Sequence, residues 1–164
     1  MRRAFQLLAG SVTLVFAVRL LALYYGHPAR ALYDGELAAQ REHARGMDRW
    51  IDAELTRRDF ATGSDRFDGE WLFATRMMAV LGYGQTAIEH PELQPEHARL
   101  IDDAIDALLS KDGRRFDREA WGSDPLDDLG TRRSHVAYLG YLALALGMAR
   151  TVNPQTRHAA LEAR

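Results

Sequence analysis

The stretch that decides the fold class of this chain is PEHARLIDDAIDALLSKDG, residues 95–113. Its apolar side chains recur at intervals of three and four residues, which is the spacing of one face of an α-helix. Pro95 and Glu96 are typical of a helix start, and Gly113 is expected to end the helix as a C′ glycine. The apolar stripe consists of Leu100, Ile101, Ile105, Leu108 and Leu109. The stretch therefore predicts an amphipathic helix.

Helical periodicity continues towards the N-terminus. Residues 69–88 predict a strongly apolar helix that ends before Pro91, because proline cannot continue it. Residues 35–58 predict an amphipathic helix, which the breaker cluster at residues 62–65 separates from the apolar one.

Towards the C-terminus, residues 114–133 predict an irregular connection, and connections of this length are often functional. Residues 134–151 are apolar nearly all round, which predicts a buried helix. Asn153 as N-cap and Pro154 at the first helical position predict a last helix. No stretch is a convincing strand candidate.

Helices that alternate between amphipathic and nearly all-apolar, joined by short breakers, are typical of αα-hairpins packed side by side. The predicted fold is therefore all-α, with hairpins at residues 27–164 arranged as a partial (α/α) toroid. A closed toroid of six hairpins needs roughly twice this length, at about 40–50 residues per helix pair. We expect a homo-oligomer or a missing C-terminal half to cover the apolar edge of such a partial toroid.

A separate hydrophobic segment occupies the N-terminus. Arg2 and Arg3 precede an apolar run at residues 4–26, and about 20 apolar residues suffice to cross a bilayer as a helix. This length favours an uncleaved signal-anchor or transmembrane helix at residues 1–26. A cleaved signal ending at Ala31 and a buried soluble helix are the alternatives. The leading arginines predict an inner (cytoplasmic) membrane protein with its N-terminus inside and its helical domain on the exported, periplasmic side.

Composition excludes several classes of function. The formal net charge of −2 argues against a nucleic-acid binder, which would normally have a basic face. The sequence has no cysteine, so it offers neither thiolate ligands nor a cysteine nucleophile. Its six histidines show no zinc-ligand spacing, and no nucleotide-binding fingerprint is present. We therefore predict no metal and no cofactor.

His135 is the strongest single candidate for chemistry. It lies in the predicted first turn of the apolar helix, directly after the irregular connection, so its ring can face a cavity lined by that connection. An imidazole titrates near neutral pH and transfers protons readily. The alternative is a structural histidine at the helix entry, hydrogen-bonded to a carbonyl of the connection.

Carboxylates and aromatic residues are further candidates. Asp124, Asp127 and Asp128 share one connection and could divide acid and base roles, as in an inverting glycosidase, or could be turn residues. Asp52 is most simply a surface residue of the amphipathic helix. Four aromatic residues are predicted either to pack in the core or to wall an apolar pocket: Trp71, Tyr83, Trp121 and Tyr138.

Three segments, read in order, resemble the linalool dehydratase/isomerase family: GYGQTAIEHPEL at residues 82–93, WGSDPL at 121–126 and SHVAYLGYL at 134–142. The resemblance covers about residues 50–150. It implies an (α/α)6 barrel and a cofactor-free, oligomeric, exported enzyme. Such an enzyme isomerises and dehydrates monoterpene alcohols in a site built from neighbouring subunits.

Two residues carry over from this resemblance. His135 matches a histidine of the family's active site, and Asp52 is similar to an aspartate that the adjacent subunit offers there. The family also uses two cysteines further along its chain, which this sequence lacks. The resemblance implies a hydro-lyase or isomerase that acts by acid–base chemistry on a small apolar, terpenoid-like alcohol. A carbohydrate-active toroid and a non-catalytic helical interaction module remain the alternatives.

Overall fold

The computed structural model describes residues 2–52, 55–133 and 135–162; within them, the side chains of residues 2–9, 25–28, 49, 52 and 162 are not described. These ranges contain only helices and their connections, which confirms the all-α prediction for the described residues. Contacts divide the chain into two units, Met1–Glu42 and His43–Arg164. The helices are α1 (Arg2–Tyr33), α2 (Leu37–Asp52), α3 (Asp65–Glu89), α4 (Gln94–Leu109), α5 (Lys111–Trp121), α6 (Val136–Val152) and α7 (Ala159–Glu162), with 3-10 turns at Arg57–Asp59 and Pro91–Leu93.

The first unit is dominated by α1. Its segment Gly10–Tyr33, of mean hydropathy 1.3, is long and apolar enough to cross a membrane, and it is the one such helix among the described residues. Signal sequences satisfy the same criterion. Near the C-terminal end of α1, Arg30 Nε forms an ion pair with Asp34 Oδ2 at 3.2 Å.

The second unit is built around α3, which packs against α4, α5 and α6. Ser64 caps the start of α3 by accepting a hydrogen bond from the Phe67 N–H. Glycine allows two close approaches: a Cβ on Gly69 would lie 2.6 Å from Phe116 Cβ of α5, and one on Gly84 would overlap Met148 of α6. Core side chains that are fully enclosed include Leu72, Val80, Tyr83, Ile101, Ile105, Leu108 and Tyr138.

The junction between α4 and α5 differs from its prediction. Ser110, in an extended conformation, ends α4, and its Oγ accepts the Gly113 N–H at 3.0 Å to cap α5. Gly113 therefore lies in the first turn of α5, where a Cβ would collide with the carbonyl oxygen of Ala107. Gly122, with φ of 77°, ends α5 in the left-handed conformation. The irregular connection consequently begins at residue 122 instead of 114.

α6 is less buried than its composition predicted. Tyr138, Leu142 and Leu146 face the core, whereas Val136 is 73% exposed and Leu144 50% exposed. Nothing among the described residues covers that second face. The prediction of an enclosed helix is therefore wrong for about half of the helix surface.

The C-terminal segment also departs from its prediction. Asn153 ends α6 instead of starting a helix, and α7 begins only at Ala159. Thr156 Oγ1 donates to Asp102 Oδ1 of α4 at 2.6 Å, and Arg157 Nη2 lies 3.0 Å from Asp103 Oδ1. Asp106 forms an ion pair with Arg157, and His158 Nε2 lies 3.2 Å from the Asp102 carbonyl oxygen. We call this cluster the C-terminal latch.

Candidate functional site

His135 stands where the connection at residues 122–133 enters α6. Its carbonyl oxygen accepts the Leu139 N–H at 2.9 Å, so its backbone belongs to the first turn of the helix. Its side chain is 1% exposed, and it points among groups supplied by α5 and by the connection. The predicted proximity of this histidine to the connection is therefore observed.

Both ring nitrogens of His135 face carboxylates. Nδ1 lies 2.5 Å from Asp117 Oδ2, and Nε2 lies 3.0 Å from Asp128 Oδ2. A neutral imidazole has a single N–H donor, so both hydrogen bonds to ionised carboxylates require the imidazolium form. The Asp117 side chain is 3% exposed and that of Asp128 14% exposed. We call these three residues the histidine clasp.

The electrostatics of the clasp favour charge on its members. Burial lowers the pKa of the His135 imidazole, but the hydrogen bonds with Asp128 and Asp117 outweigh burial and leave the pKa above its ordinary value of 6.5. Hydrogen bonds from Ser123 and His135 hold the pKa of the Asp128 carboxyl below its ordinary value of 3.8. The raised pKa of His135 and the lowered pKa of Asp128 widen the pH range over which a histidine cation lies beside an Asp128 anion.

Asp128 is the member of the clasp that reaches the surface. Ser123 Oγ donates to Asp128 Oδ2, and the Arg133 guanidinium lies 4.0 Å from the same oxygen. Trp121, which is 63% exposed, presents its ring edge-to-face to His135 with ring centroids 6.2 Å apart. A proton exchanged between His135 and the outside would therefore pass most directly through Asp128.

The other acidic candidates of the connection have different surroundings. Arg114 Nε donates to both oxygens of Asp124, at 2.9 and 3.1 Å, and the Leu126 N–H donates to Oδ1 at 3.1 Å. Burial raises the pKa of Asp124, but these hydrogen bonds outweigh it and leave the pKa below its ordinary value. A glycosidase general acid needs a raised pKa, so this geometry favours a structural Asp124. Asp127 is exposed.

The four predicted aromatic residues are dispersed over the second unit. Tyr138 is enclosed in the core and donates its hydroxyl to the Leu108 carbonyl at 3.0 Å; burial raises its pKa. Tyr83 is also enclosed and donates to Asp48 Oδ1 at 2.6 Å. Trp71 is 56% exposed on a face formed by α2 and α3. Of the four, Trp121 has a described ring contact with His135.

The remaining predicted site residue is Asp52, at the end of α2. Its side chain lies outside the described part of the structure, so its role as an aspartate offered by an adjacent subunit stays a prediction.

An open apolar groove lies beside the connection that carries Asp128. Its volume is about 200 Å³, and we call it the loop groove. Leu126 and Leu129 supply its side on the connection, two residues before and one residue after Asp128. Pockets for drug-sized ligands measure about 300–1,000 Å³, so the loop groove suits a smaller apolar molecule. Its other lining residues are Leu139, Leu142, Ala143, Leu146 and Leu161.

Two members of this site, Asp117 and Ser123, are absent from the residues predicted from the sequence. Asp117 falls in the predicted irregular connection, although Gly113, Phe116 and Asp117 have the i, i+3, i+4 spacing of one helix face. All three are buried in α5. Reading Ser110 as an N-cap would have revealed α5 and the inward position of Asp117.

The described residues contain no group of three or more histidine, cysteine or acidic side chains that could hold a metal ion. Within the histidine clasp, the carboxylates occupy opposite nitrogens of one ring, so the donor atoms do not converge on a common point. Comparison of the chain with protein-family models, with curated proteins and with solved structures finds no match. The resemblance to linalool dehydratase/isomerase therefore stays a prediction.

Proposed function

We propose that this chain is a membrane-anchored, exported helical protein of the (α/α) toroid type. In this proposal it dehydrates or isomerises a small apolar alcohol, as the resemblance to the linalool dehydratase/isomerase family implies. The observation that carries the proposal is the pairing of His135 with Asp128 on the connection that also borders the loop groove.

The clasp supplies the proton chemistry in this proposal. Asp117 holds the His135 ring, which stores a proton, and Asp128 passes that proton to the hydroxyl oxygen of the alcohol. The C–O bond breaks, water leaves, and the Asp128 carboxylate takes a proton from the neighbouring carbon, so the protein ends with its original number of protons. Trp121, whose ring contacts His135, would stabilise positive charge as the C–O bond weakens.

Association would complete such a site. The open face of α6, which includes Val136, Tyr141 and Leu144, starts one residue after His135. Contiguous exposed apolar surface of this kind marks an interaction site. In the proposal, a second copy of the chain covers this face and closes the toroid, as expected for a site shared between subunits.

A second candidate function, a non-catalytic helical interaction module, is favoured by the closure of the clasp. The His135 ring is 1% exposed, and both of its nitrogens are already hydrogen-bonded. In that role the clasp fastens residues 122–133 to α5 and contributes only to stability.

The two candidate functions predict different effects of Asp128→Asn on the turnover of alcohols. The full chain, reconstituted in lipid vesicles, is assayed for loss of water or isomerisation with a panel of tertiary and primary allylic alcohols. The catalytic proposal expects turnover by the unaltered chain and a loss of at least about 100-fold in the variant, since general acid–base groups typically contribute that much.

Asp127→Asn is the matched control, because its side chain is exposed on the same connection. It should keep both turnover and helical circular dichroism. Absence of turnover with every alcohol, together with a folded chain that self-associates, would reject the catalytic role and favour the interaction module.

A further inference from the structure

A second apolar surface lies in the same unit, on α2 and α3. Trp50, Trp71 and Met78 are 57%, 56% and 59% exposed, and all three line one open groove of about 250 Å³. Single exposed apolar residues are ordinary, but a cluster of two tryptophans and a methionine around a groove is typical of a binding surface. We call this surface the tryptophan face; its other lining residues are Met47, Ile51, Ala74, Thr75 and Ala79.

Among the described side chains, the lining of the tryptophan face is uncharged, and Thr75 contributes a hydroxyl group to it. Asp48, which lies between Met47 and Trp50 in α2, accepts the Tyr83 hydroxyl and is engaged with the core. The described lining therefore offers apolar contact and no ion pair to a partner. Tryptophan, by contrast, is enriched at the level of lipid headgroups, where its ring is apolar and its N–H can be hydrated.

Only a short segment of chain connects the tryptophan face to the helix that could cross a membrane. Three residues, 34–36, separate α1 from α2, and α1 contains the segment that is long and apolar enough to cross a membrane. Trp50 follows Leu37 by 13 positions of α2, about 20 Å at the helical rise of 1.5 Å per residue. Such a short tether gives the tryptophan face a high effective concentration at the membrane surface, whatever the angle between the two units.

We propose that the tryptophan face inserts into the headgroup region of the bilayer that α1 enters, with Trp50 and Trp71 as interfacial anchors. This inference depends on the membrane anchor of the proposed function and is independent of its chemistry. The face would hold the second unit against the lipid surface, where an apolar substrate concentrates.

The tryptophan content of the chain allows a direct test. Its three tryptophans are Trp50, Trp71 and Trp121, and α1 contains none. Trp121→Phe leaves the two residues of the face as fluorophores, and the double variant Trp50→Phe, Trp71→Phe leaves Trp121 as the matched control. Each full-length variant is reconstituted in phosphatidylcholine vesicles that contain phosphatidylglycerol, with or without bromine on the upper acyl carbons.

Brominated lipid should quench the fluorescence of the Trp121→Phe variant several-fold more strongly than that of the double variant. Equal quenching of the two, or no quenching of either in vesicles that carry the protein, would overturn the proposal. Shielding of Trp50 and Trp71 from iodide without quenching by brominated lipid would also overturn it and assign the face to a second copy of the chain. Failure of the protein to float with vesicles would contradict the membrane anchor itself, which separates the two failures.

Discussion

The histidine clasp and the C-terminal latch are polar clusters of the second unit, and their ion pairs differ in their access to solvent. The histidine clasp joins His135 to Asp117 and Asp128 with side-chain exposures of 1%, 3% and 14%. The C-terminal latch joins Arg157 to Asp103 and Asp106, and these three side chains are 44–57% exposed. Water and salt screen these ion pairs of Arg157, whereas they barely reach the clasp. Charged side chains therefore interact strongly in the clasp and weakly in the exposed ion pairs of the latch.

Removing one charge of the clasp should produce the largest effect. Asp117→Asn leaves the His135 cation without its buried partner, and breaking a buried ion pair typically costs about 3–5 kcal/mol. Chemical unfolding in mild detergent, followed by circular dichroism, should report a loss of this size. Asp127→Asn, at an exposed position, should leave the free energy of unfolding nearly unchanged. If the two variants had equal free energies of unfolding, the clasp would contribute no more to stability than a surface contact, which would contradict this prediction.

The contribution of the clasp to the free energy of unfolding should depend on pH. The pKa of His135 is raised in the folded state, so its contribution is fully present below the ordinary value of 6.5 and is lost as pH rises through the folded pKa. The pKa of Asp128 is lowered, so its contribution is present above 3.8 and is lost as pH falls through the folded pKa. The contribution of the clasp should therefore be greatest between these two ordinary values.

Thermal unfolding at a series of pH values tests this expectation. His135→Asn should remove the decline in stability on the alkaline side, because asparagine does not titrate. A decline of the same size in both proteins would place its origin outside the clasp.

The smallest effect is expected from the latch. Arg157→Ala removes ion pairs that are about half exposed, and such pairs contribute about 0–1 kcal/mol. The loss should diminish further as salt is added, since exposed charges are screened. Unfolding at low and high ionic strength would check this, and a salt-independent loss as large as that of Asp117→Asn would contradict the comparison.

The sequence predicted the helices better than their surroundings. The apolar pattern identified the segments of α2, α3, α4 and α6, because the spacing of apolar residues reflects the helix itself, but it did not identify α5. The same signal did not predict which face of α6 stays open, because exposure depends on what packs against a helix. Residues 134–151 are apolar nearly all round, yet Val136, Tyr141 and Leu144 are at least half exposed.

The site was predictable in part. The position of His135 predicted a ring that faces a cavity or a carbonyl group of the connection, whereas the structure encloses the ring between two carboxylates. Its partner Asp117 is 18 residues away along the chain. No local pattern connects two such positions, since their contact depends on the path of the connection and on the extra helix α5.

The most direct test of the clasp is the protonation state of its histidine. ¹⁵N-labelled protein in detergent micelles is titrated by NMR, with His135→Asn used to assign the signals of His135 among the six histidines. We expect both ring nitrogens of His135 to carry protons at pH 6, and the pKa of the ring to lie above 6.5. A His135 ring with a single protonated nitrogen at pH 6 would contradict this expectation.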